Sequence, residues 1–287
     1  MTMRIAEKWK DYTILATGDG YKLERWKDVV LLRPDPQVIW QAQRDLFAYP
    51  GINAVYRRSD KGGGAWEFRK PMPEEWTIDY RDLTFKVKPM GFKHTGLFPE
   101  QAVNWDRMSA LIAGAGRKIK VLNLFAYTGG ATVACAKAGA EVVHVDAAKG
   151  MVERAGENAR LSGIRSGIRY IVDDCKKFVQ REIRRGNRYD AVIMDPPSYG
   201  RGPGGELWKI EDSLYSFVQL CTQVLSEDPL FFLINSYTTG LQPMVLHNIL
   251  KLCLSGQAGK IDAYEVGIAT QEGIPLPCGA GGMFVNE

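Results

Sequence analysis

The fold of this 287-residue chain is decided by the stretch Val121-Leu-Asn-Leu-Phe-Ala-Tyr-Thr-Gly-Gly-Ala-Thr-Val-Ala-Cys-Ala136. Its first residues form an apolar run of strand length, and Gly129 and Gly130 indicate a tight turn. The small residues that follow the glycines are typical of a closely packed helix. A strand that passes through a glycine turn into a helix is the first part of a βαβ unit.

The same alternation continues towards the C-terminus, where apolar runs are separated by segments of helical period. The predicted strands are Val121–Phe125, Val142–Val145, Tyr170–Val172, Ala191–Met194 and Leu230–Ile234, and the predicted helices cover about residues 129–138, 148–162, 174–185, 210–226 and 242–254. Because strands and helices alternate, we predict an α/β fold of the Rossmann-like type with a mostly parallel seven-stranded sheet. A hairpin of Tyr264–Ala269 and Met283–Val285 would add antiparallel edge strands.

The first 90 residues have a different pattern. Short apolar stretches alternate with turn signals such as Gly18-Asp19-Gly20, and Leu83–Val87 alternates apolar and polar residues as a half-buried strand does. We predict a small, mainly β N-terminal domain over residues 1–90 with one short helix near residues 37–47. The α/β domain then covers residues 91–287.

Composition limits the function classes. The chain has 37 Lys and Arg against 33 Asp and Glu, a net charge of +4 that permits a nucleic-acid partner without requiring one. The five cysteines are widely spaced without a CxxC pair, and the three histidines show no metal-ligand spacing, so we predict reduced thiols, no metal and a cytoplasmic location. The N-terminus lacks a signal-peptide pattern, and no apolar run reaches the ~18 residues of a membrane span.

Ligands of open α/β sheets bind at the carboxyl ends of the strands, so the turns there hold the candidate site. Gly129 and Gly130 would let a ligand approach the main chain at the start of a helix, although a glycine turn without a ligand explains them equally well. Asp146 ends the second strand roughly 20 residues later, where a carboxylate accepts hydrogen bonds from a ribose diol. Its alternative role is to cap the next helix.

Further carboxylates follow the third and fourth strands. Asp174 precedes a helix, where it would accept a hydrogen bond from an adenine amine or cap the helix. Asp195 is followed by Pro196 and Pro197, which fix φ and remove two donors, so that the loop is rigid and its carbonyls stay free. Such an acceptor suits an amine or a base edge; a stiff loop without function is the alternative. The basic loop Gly200–Gly205 would cover the substrate or lie at the surface.

Together these turns resemble the class I S-adenosylmethionine (SAM)-dependent methyltransferases, and more narrowly the group that includes ribosomal RNA large-subunit methyltransferases I and K/L. The resemblance covers roughly residues 85–287 and rests on Lys93–Gln101, Asn123–Gly129, Asp146, Glu157–Gly163, Asp174 and Asp195–Tyr199. It implies SAM as the cofactor, S-adenosyl-L-homocysteine as its product, and no metal.

The resemblance also implies which residues bind the cofactor. Residues 93–101 and the glycine turn would surround the methionine part, Asp146 would hold the ribose, and Asp174 would face the adenine. The Asp-Pro-Pro loop would lie between the donor methyl and its target, with Asp195 as the catalytic residue. The implied cofactor-binding set is Thr95, Phe98, Gln101, Asn123, Phe125, Tyr127, Gly129, Asp146, Asp174, Asp195 and Pro196.

One departure from the group narrows the predicted reaction. Cytosine C5 methylation needs a thiolate, and in methyltransferase I sequences a cysteine follows the fifth strand. This chain reads Asn235-Ser236-Tyr237 there. We therefore predict methylation of an RNA base nitrogen or amine, with ribosomal RNA as the partner.

Two basic clusters would contact that RNA, or are solvated faces. They are Lys176, Lys177, Arg181, Arg184, Arg185 and Arg188 near one helix, and Arg57, Arg58, Lys61, Arg69 and Lys70 interleaved with Tyr56, Trp66 and Phe68. Three other functions stay open: a methyltransferase of a protein or small molecule, a non-catalytic SAM-binding module, and a nucleotide-binding oxidoreductase, against which the missing GxGxxG argues. The sequence indicates no oligomeric state.

Overall fold

The computed structural model describes residues 2–59, 63–201 and 207–286. These residues form two compact units. The α/β unit comprises the chain up to Arg4, Val103–Val266 and the chain from Gly279 onward, and the β unit comprises Ile5–Ala102 and Gly267–Cys278. The predicted domains, residues 1–90 and 91–287, stay a prediction, because compactness does not establish which segments fold on their own.

The secondary structure consists of many short strands and six α-helices over the described residues. The strands are β1 (Thr2–Ala6), β2 (Tyr12–Gly18), β3 (Tyr21–Trp26), β4 (Val29–Pro34), β5 (Ala54–Arg58), β6 (Gly64–Phe68), β7 (Trp76–Tyr80), β8 (Leu83–Val87), β9 (Lys120–Leu124), β10 (Glu141–Asp146), β11 (Ile168–Val172), β12 (Ala191–Met194), β13 (Tyr199–Arg201), β14 (Leu207–Lys209), β15 (Phe231–Ser236), β16 (Lys260–Ile268) and β17 (Leu276–Val285). The helices are α1 (Ala102–Gly114), α2 (Gly130–Lys137), α3 (Lys149–Leu161), α4 (Cys175–Arg185), α5 (Ile210–Thr222) and α6 (Pro243–Cys253), and short 3-10 turns cover Leu46–Ala48 and Pro99–Gln101. Among the described residues, no helix combines the length and the apolar character needed to cross a membrane.

The large sheet confirms the predicted Rossmann-like fold. Its strand order is β1-β16-β17-β15-β12-β9-β10-β11. Strands β9 to β12 and β15 pair in parallel, and β17 runs antiparallel to β15. The chain moves outward from β9 through β10 to β11 and then returns to the other side of β9 as β12. The order therefore reverses between β9 and β12, which is the point where sheets of this type bind ligands.

The sheet has eight strands where the sequence predicted seven. The additional strand is β1, which lies at the edge beside β16. It is short, and only Ala6 among its five residues is buried. In this five-residue edge strand the apolar residues Met3 and Ile5 follow Thr2 and Arg4, so it lacks the continuous apolar run by which the central strands are recognised.

The central strands form the core of the α/β unit because they are apolar on both faces. Leu122, Val192 and Phe232 are fully buried in one cluster with Phe178 of α4 and Phe217 of α5. Burial of each such side chain contributes about 1.5–3 kcal/mol. This packing fixes the strand ends that carry the predicted site.

The β unit confirms the predicted β-rich region. It contains a five-stranded sheet of order β2-β3-β4-β5-β6 and the separate hairpin β7–β8. The short helix predicted near residues 37–47 is wrong, because the structure has only the 3-10 turn Leu46–Ala48 at the end of that range. Asp35 accepts a hydrogen bond from the Gln37 amide at 3.0 Å and Asp45 from the Phe47 amide at 2.9 Å. Such local side-chain bonds stabilise turns in competition with a helix.

A buried ionic network lies within the β unit. Glu24 is 0% exposed and accepts hydrogen bonds from Arg33 at 2.6 and 2.8 Å and from the Tyr12 hydroxyl at 2.6 Å. Burial alone would raise the pKa of Glu24, but Arg33 and Lys22 outweigh that effect and hold it below its usual value. Arg33 also donates to the Lys93 carbonyl at 2.7 Å. The network therefore holds the start of the segment predicted to contact SAM.

Candidate active site

Three predicted site residues stand at one level of the large sheet. Leu124 on β9 is in register with Val145 on β10 and with Met194 on β12. The residues that directly follow these on the three strands are Phe125, Asp146 and Asp195. Since parallel strands end at the same edge, the register brings the glycine turn and two acids together where the strand order reverses.

The turn after β9 has an unusual backbone. Phe125 has φ 53°, Tyr127 has φ 50° and Gly129 has φ 82°, all in the left-handed region. For the two aromatic residues this conformation costs on the order of 1–3 kcal/mol each, and it persists only where the surroundings fix it. The Ala126 amide donates to the Val145 carbonyl at 3.1 Å, and the turn is thereby bonded to β10. The structure thus presents a preorganised turn at the predicted cofactor site.

The two glycines of this turn serve helix packing. A Cβ on Gly129 would lie 2.8 Å from the Cβ of Ala155 in α3, and one on Gly130 would lie 2.7 Å from the Trp105 ring in α1. Their absence of a side chain lets both helices approach the turn. The close approach of a ligand to the same backbone stays a prediction.

Asp146 joins the turn to the following helix. Its Oδ2 accepts a hydrogen bond from the Tyr127 amide at 2.8 Å, and its Oδ1 accepts one from the Ala148 amide at 2.9 Å. Ala148 is the residue that precedes α3. A carboxylate has about four acceptor positions, so both oxygens keep capacity for ribose hydroxyls. Asp146 therefore does not cap α3, since its bonds go to the turn and to the residue that precedes the helix, and the ribose contact stays a prediction.

The acids after β11 also have structural partners. Oδ1 of Asp174 accepts from the Lys177 amide at 2.8 Å, which makes Asp174 the N-cap of α4. Asp173 forms an ion pair with Arg181, and its amide donates to the Asp146 carbonyl at 3.0 Å. The contact of Asp174 with adenine stays a prediction for its second oxygen.

Asn123 lies in a buried polar chain behind the turn. Its amide donates to the Thr132 hydroxyl at 2.9 Å, and that hydroxyl lies 2.9 Å from Nδ1 of His144. Burial lowers the pKa of His144 to about 4, so the ring is neutral. The Asn123 side chain therefore holds the first turn of α2.

The Asp-Pro-Pro loop is fixed by the residues that follow it. Asp195 is half-buried and Pro196 is buried. The Trp208 indole donates to the Pro197 carbonyl at 2.6 Å, and its ring packs on Phe125 at a centroid distance of 5.4 Å. The hairpin of β13 and β14 thereby contacts both the loop and the glycine turn. Residues 202–206 of the predicted covering loop lie outside the described residues.

The remaining predicted cofactor contacts, Thr95, Phe98 and Gln101, belong to the β unit. Thr95 is 0% exposed, and its hydroxyl has no hydrogen-bond partner among the described residues. Gln101 is buried at the end of the 3-10 turn that Phe98 precedes. A buried hydroxyl without a partner is costly, and the contacts of these three residues with SAM stay a prediction.

Comparison with known proteins decides the family. A family model described as S-adenosylmethionine-dependent methyltransferase matches residues 45–217. The chain belongs to this family. The methyltransferase fold predicted from the four turns is thus confirmed.

Relatives of this methyltransferase carry more specific names. It is 26% identical over 243 residues to ribosomal RNA large subunit methyltransferase K of Neisseria meningitidis, which covers 81% of this chain and 66% of the relative. It is 33% identical over 174 residues to ribosomal RNA large subunit methyltransferase I of Aeromonas salmonicida, which covers 57% of this chain and 42% of the relative. The chain thus spans between about two fifths and two thirds of the length of these relatives. The solved structure of a SAM-dependent methyltransferase from Agrobacterium tumefaciens superposes with a TM-score of 0.94 at 32% identity and covers 100% of this chain and 94% of that one.

Several residues that build the site of the methyltransferase were missed in the sequence. Trp105 packs on the glycine turn, Trp208 bonds the Asp-Pro-Pro loop, and the Cys175 sulfur accepts from the Phe125 amide at 3.3 Å. The glycine pair was the one available signal, since small residues indicate close approach of another element. The identity of that element depends on the tertiary fold.

Proposed function

We propose that this chain transfers the methyl group of SAM to a nitrogen of an RNA base, in the ring or as an exocyclic amine, with ribosomal RNA as the substrate class. The observation that carries the proposal is the common level of Phe125, Asp146 and Asp195 at the reversal of the strand order. The names of the relatives support RNA as the acceptor.

The residues of the site fit the cofactor. SAM supplies a methyl group on a sulfonium, which is already activated for in-line displacement. Asp146 would accept from the ribose hydroxyls through the acceptor positions that its two amide partners leave free. Thr95 would satisfy its buried hydroxyl against the same ligand. The strained turn at Phe125 and Tyr127 would keep the main chain in place before the ligand arrives.

Asp195 is proposed to position the methyl acceptor. The two prolines after it stiffen the loop, and the bond from Trp208 to Pro197 fixes its course. A carboxylate held in this way accepts a hydrogen bond from an amine and turns the nitrogen lone pair towards the methyl donor. Alignment of this kind supplies much of the barrier reduction in a displacement between two bound partners.

The cysteines favour a nitrogen acceptor over a carbon acceptor. Methylation at cytosine C5 needs a thiolate that adds to the ring. Burial raises the pKa of every cysteine thiol in this chain, and that of Cys135 to about 12. The thiols are therefore protonated at neutral pH, whereas an amine lone pair needs no covalent activation.

The test uses ribosomal RNA from a strain that lacks the gene, incubated with purified protein and SAM labelled in its methyl group. Nucleoside mass spectrometry should find the label in one methylated nucleoside, with the methyl on nitrogen. Asp195→Ala should lower turnover about 10²-fold while calorimetry shows that affinity for S-adenosyl-L-homocysteine is largely kept. The turnover of Asp195→Asn, which retains one acceptor oxygen, should lie between that of the wild type and that of Asp195→Ala.

The outcomes separate the alternatives. Full turnover and full SAM affinity of Asp195→Ala would disprove the role of that residue. Label that appears in an RNA-free extract would indicate a protein or small-molecule substrate. Binding of S-adenosyl-L-homocysteine without transfer to any acceptor would indicate a non-catalytic binding module.

A further inference from the structure

The structure shows which side chains of the predicted basic and aromatic cluster in the β unit already bond to other residues of the protein. Arg57 and Arg69 both form ion pairs with Glu67, at 2.6 and 2.9 Å. The Trp66 indole donates to the Met90 carbonyl at 2.8 Å, and Tyr56 is buried. These cations and rings are therefore engaged within the β unit. Phe68 is the aromatic residue of the cluster that remains exposed, at 62%.

Phe68 lines a groove of about 430 Å³ at the carboxyl ends of β6 and β8. That volume lies within the ~300–1,000 Å³ typical of clefts that bind small ligands. The other residues of the groove are Lys70, Pro71, Met72, Pro73, Glu74, Lys88 and Pro89. We refer to it as the Phe68 groove. Its walls are rigid because three of these residues are prolines.

The charges of the Phe68 groove favour an anionic ligand. Lys70 and Lys88 contribute two cations against the single carboxylate of Glu74. Over residues 2–59, 63–201 and 207–286, neither lysine has an ion-pair partner. An exposed ring beside free lysines is the combination by which proteins hold single-stranded nucleic acid, with a base stacked on the ring and phosphates on the cations.

The groove is bonded to the segment predicted to contact SAM. The Lys88 amide donates to the Thr95 carbonyl at 3.0 Å, and the Met90 amide donates to the His94 carbonyl at 3.0 Å. One wall of the groove is therefore hydrogen-bonded to residues 94 and 95. A substrate segment held there would be anchored on residues that bond directly to His94 and Thr95.

We propose that the Phe68 groove binds a single-stranded segment of the RNA substrate, with one base against Phe68 and the flanking phosphates at Lys70 and Lys88. This inference rests on the proposed function, because it assigns a docking surface to the proposed substrate. Its contribution is to affinity for the substrate, and the chemistry of transfer stays with the carboxyl edge of the large sheet.

The test measures fluorescence anisotropy of a short dye-labelled single-stranded RNA of mixed sequence with the full chain. Phe68→Ala should weaken binding about tenfold, the loss typical of one stacked base. The double variant Lys70→Gln with Lys88→Gln should reduce the slope of log K against log salt by about 1.4, because each phosphate contact on a single strand contributes about 0.7. Ile39→Ala, which truncates an apolar side chain 91% exposed on the same unit, and Lys10→Gln are the matched controls and should bind like the wild type.

Two results would overturn the groove assignment. One is wild-type RNA affinity and salt slope in both groove variants, and the other is the absence of RNA binding by the wild type at low salt. Thermal melting checks that the variants are folded. Calorimetry with S-adenosyl-L-homocysteine is run in parallel. If the protein does not bind S-adenosyl-L-homocysteine, the proposed function is overturned. If it binds this product and transfers the methyl group, but the groove variants bind RNA like the wild type, the groove assignment alone is overturned.

Discussion

Oδ2 of Asp146 and the amide of Tyr127 are joined by a hydrogen bond of 2.8 Å. The acid predicted to hold the ribose thus also holds the left-handed turn predicted to surround the methionine part. One side chain couples the two halves of the proposed cofactor site, and its removal should affect both.

Asp146→Ala should weaken binding of S-adenosyl-L-homocysteine about 10- to 100-fold, since hydrogen bonds to a charged group contribute about 1.5–3 kcal/mol each. Asp146→Asn should also weaken it, because a single amide oxygen cannot replace two carboxylate oxygens that accept from Tyr127 and Ala148. Calorimetry measures the affinity. Asp212→Ala, at an exposed position of α5, is the control. Unchanged affinity of Asp146→Ala would contradict the predicted role.

Gly129→Ala should destabilise the protein by about 2–5 kcal/mol. A left-handed φ costs about 1–2 kcal/mol with a side chain, and the contact of 2.8 Å with Ala155 adds about 1–3 kcal/mol of overpacking. Gly186→Ala is the matched control, because Gly186 also has a left-handed φ, of 68°, but its added Cβ would meet nothing within 4 Å. Urea unfolding should give the larger loss at Gly129. Equal losses would show that the close packing of α3 contributes nothing.

Stability should fall as the pH drops from 6.5 to 4. Burial lowers the pKa of His144 to about 4, and burial together with nearby cations lowers that of His94 to about 4. In this range the unfolded state binds protons that the folded state does not, so acid favours unfolding. For His144, the lowering of the pKa from 6.5 to about 4 corresponds to about 3 kcal/mol in the free energy of unfolding. The same stabilisation is fully present above pH 6.5.

Urea unfolding at several pH values between 4.5 and 7.5 measures this dependence. His144→Gln should reduce the slope relative to the wild type, whereas His247→Gln, at the surface of α6, should keep it. A slope that His144→Gln leaves unchanged would mean that the pKa of this ring is the same in the folded and the unfolded protein.

Glu24→Gln should cost about 3–5 kcal/mol, because it leaves Arg33 buried without its charged partner. Glu67→Gln provides a matched comparison, since Glu67, like Glu24, pairs with two cations but does so at the surface, and it should change the free energy of unfolding little. Denaturant titration of both variants distinguishes the two cases. A similar, small effect at both positions would show that the Glu24 network does not stabilise the β unit.

Local features of the sequence predicted most of the α/β unit. Ala191–Met194 is a strand with the predicted bounds, and α3 and α4 lie within a residue of theirs. A strand covered on both faces is recognised as a short apolar run, and an amphipathic helix by the spacing of its apolar residues. Both patterns lie within one local stretch of sequence. Strand β1 was missed because its place depends on distant contacts, such as the ion pair of Arg4 with Asp262, 258 residues away.

The candidate site likewise contains residues that the sequence predicted and residues that it did not. Asp146, Asp174 and Asp195 were found because each ends a predicted strand or precedes a predicted helix. His144 and Trp105 were not, since His144 reads as one polar residue inside a strand and Trp105 as an aromatic residue of a helix. Both act through contacts between elements, since Trp105 packs on Gly130 and His144 bonds to Thr132. The helix predicted near residues 37–47 is wrong because Asp35 and Asp45 accept hydrogen bonds from nearby main-chain amides, which stabilises turns instead.

The segment Gly267–Cys278, which belongs to the β unit, has a consequence for how the chain is made. The Gln271 amide donates to the Ile14 carbonyl at 2.9 Å, and Glu272 accepts from Thr17, so these late residues cover the outer edge of β2. During translation, Thr17 is synthesised 255 residues before Glu272. The nascent chain must therefore carry this strand edge unprotected until residues 267–278 have been synthesised, which makes it a substrate for chaperones and a risk for aggregation in that interval.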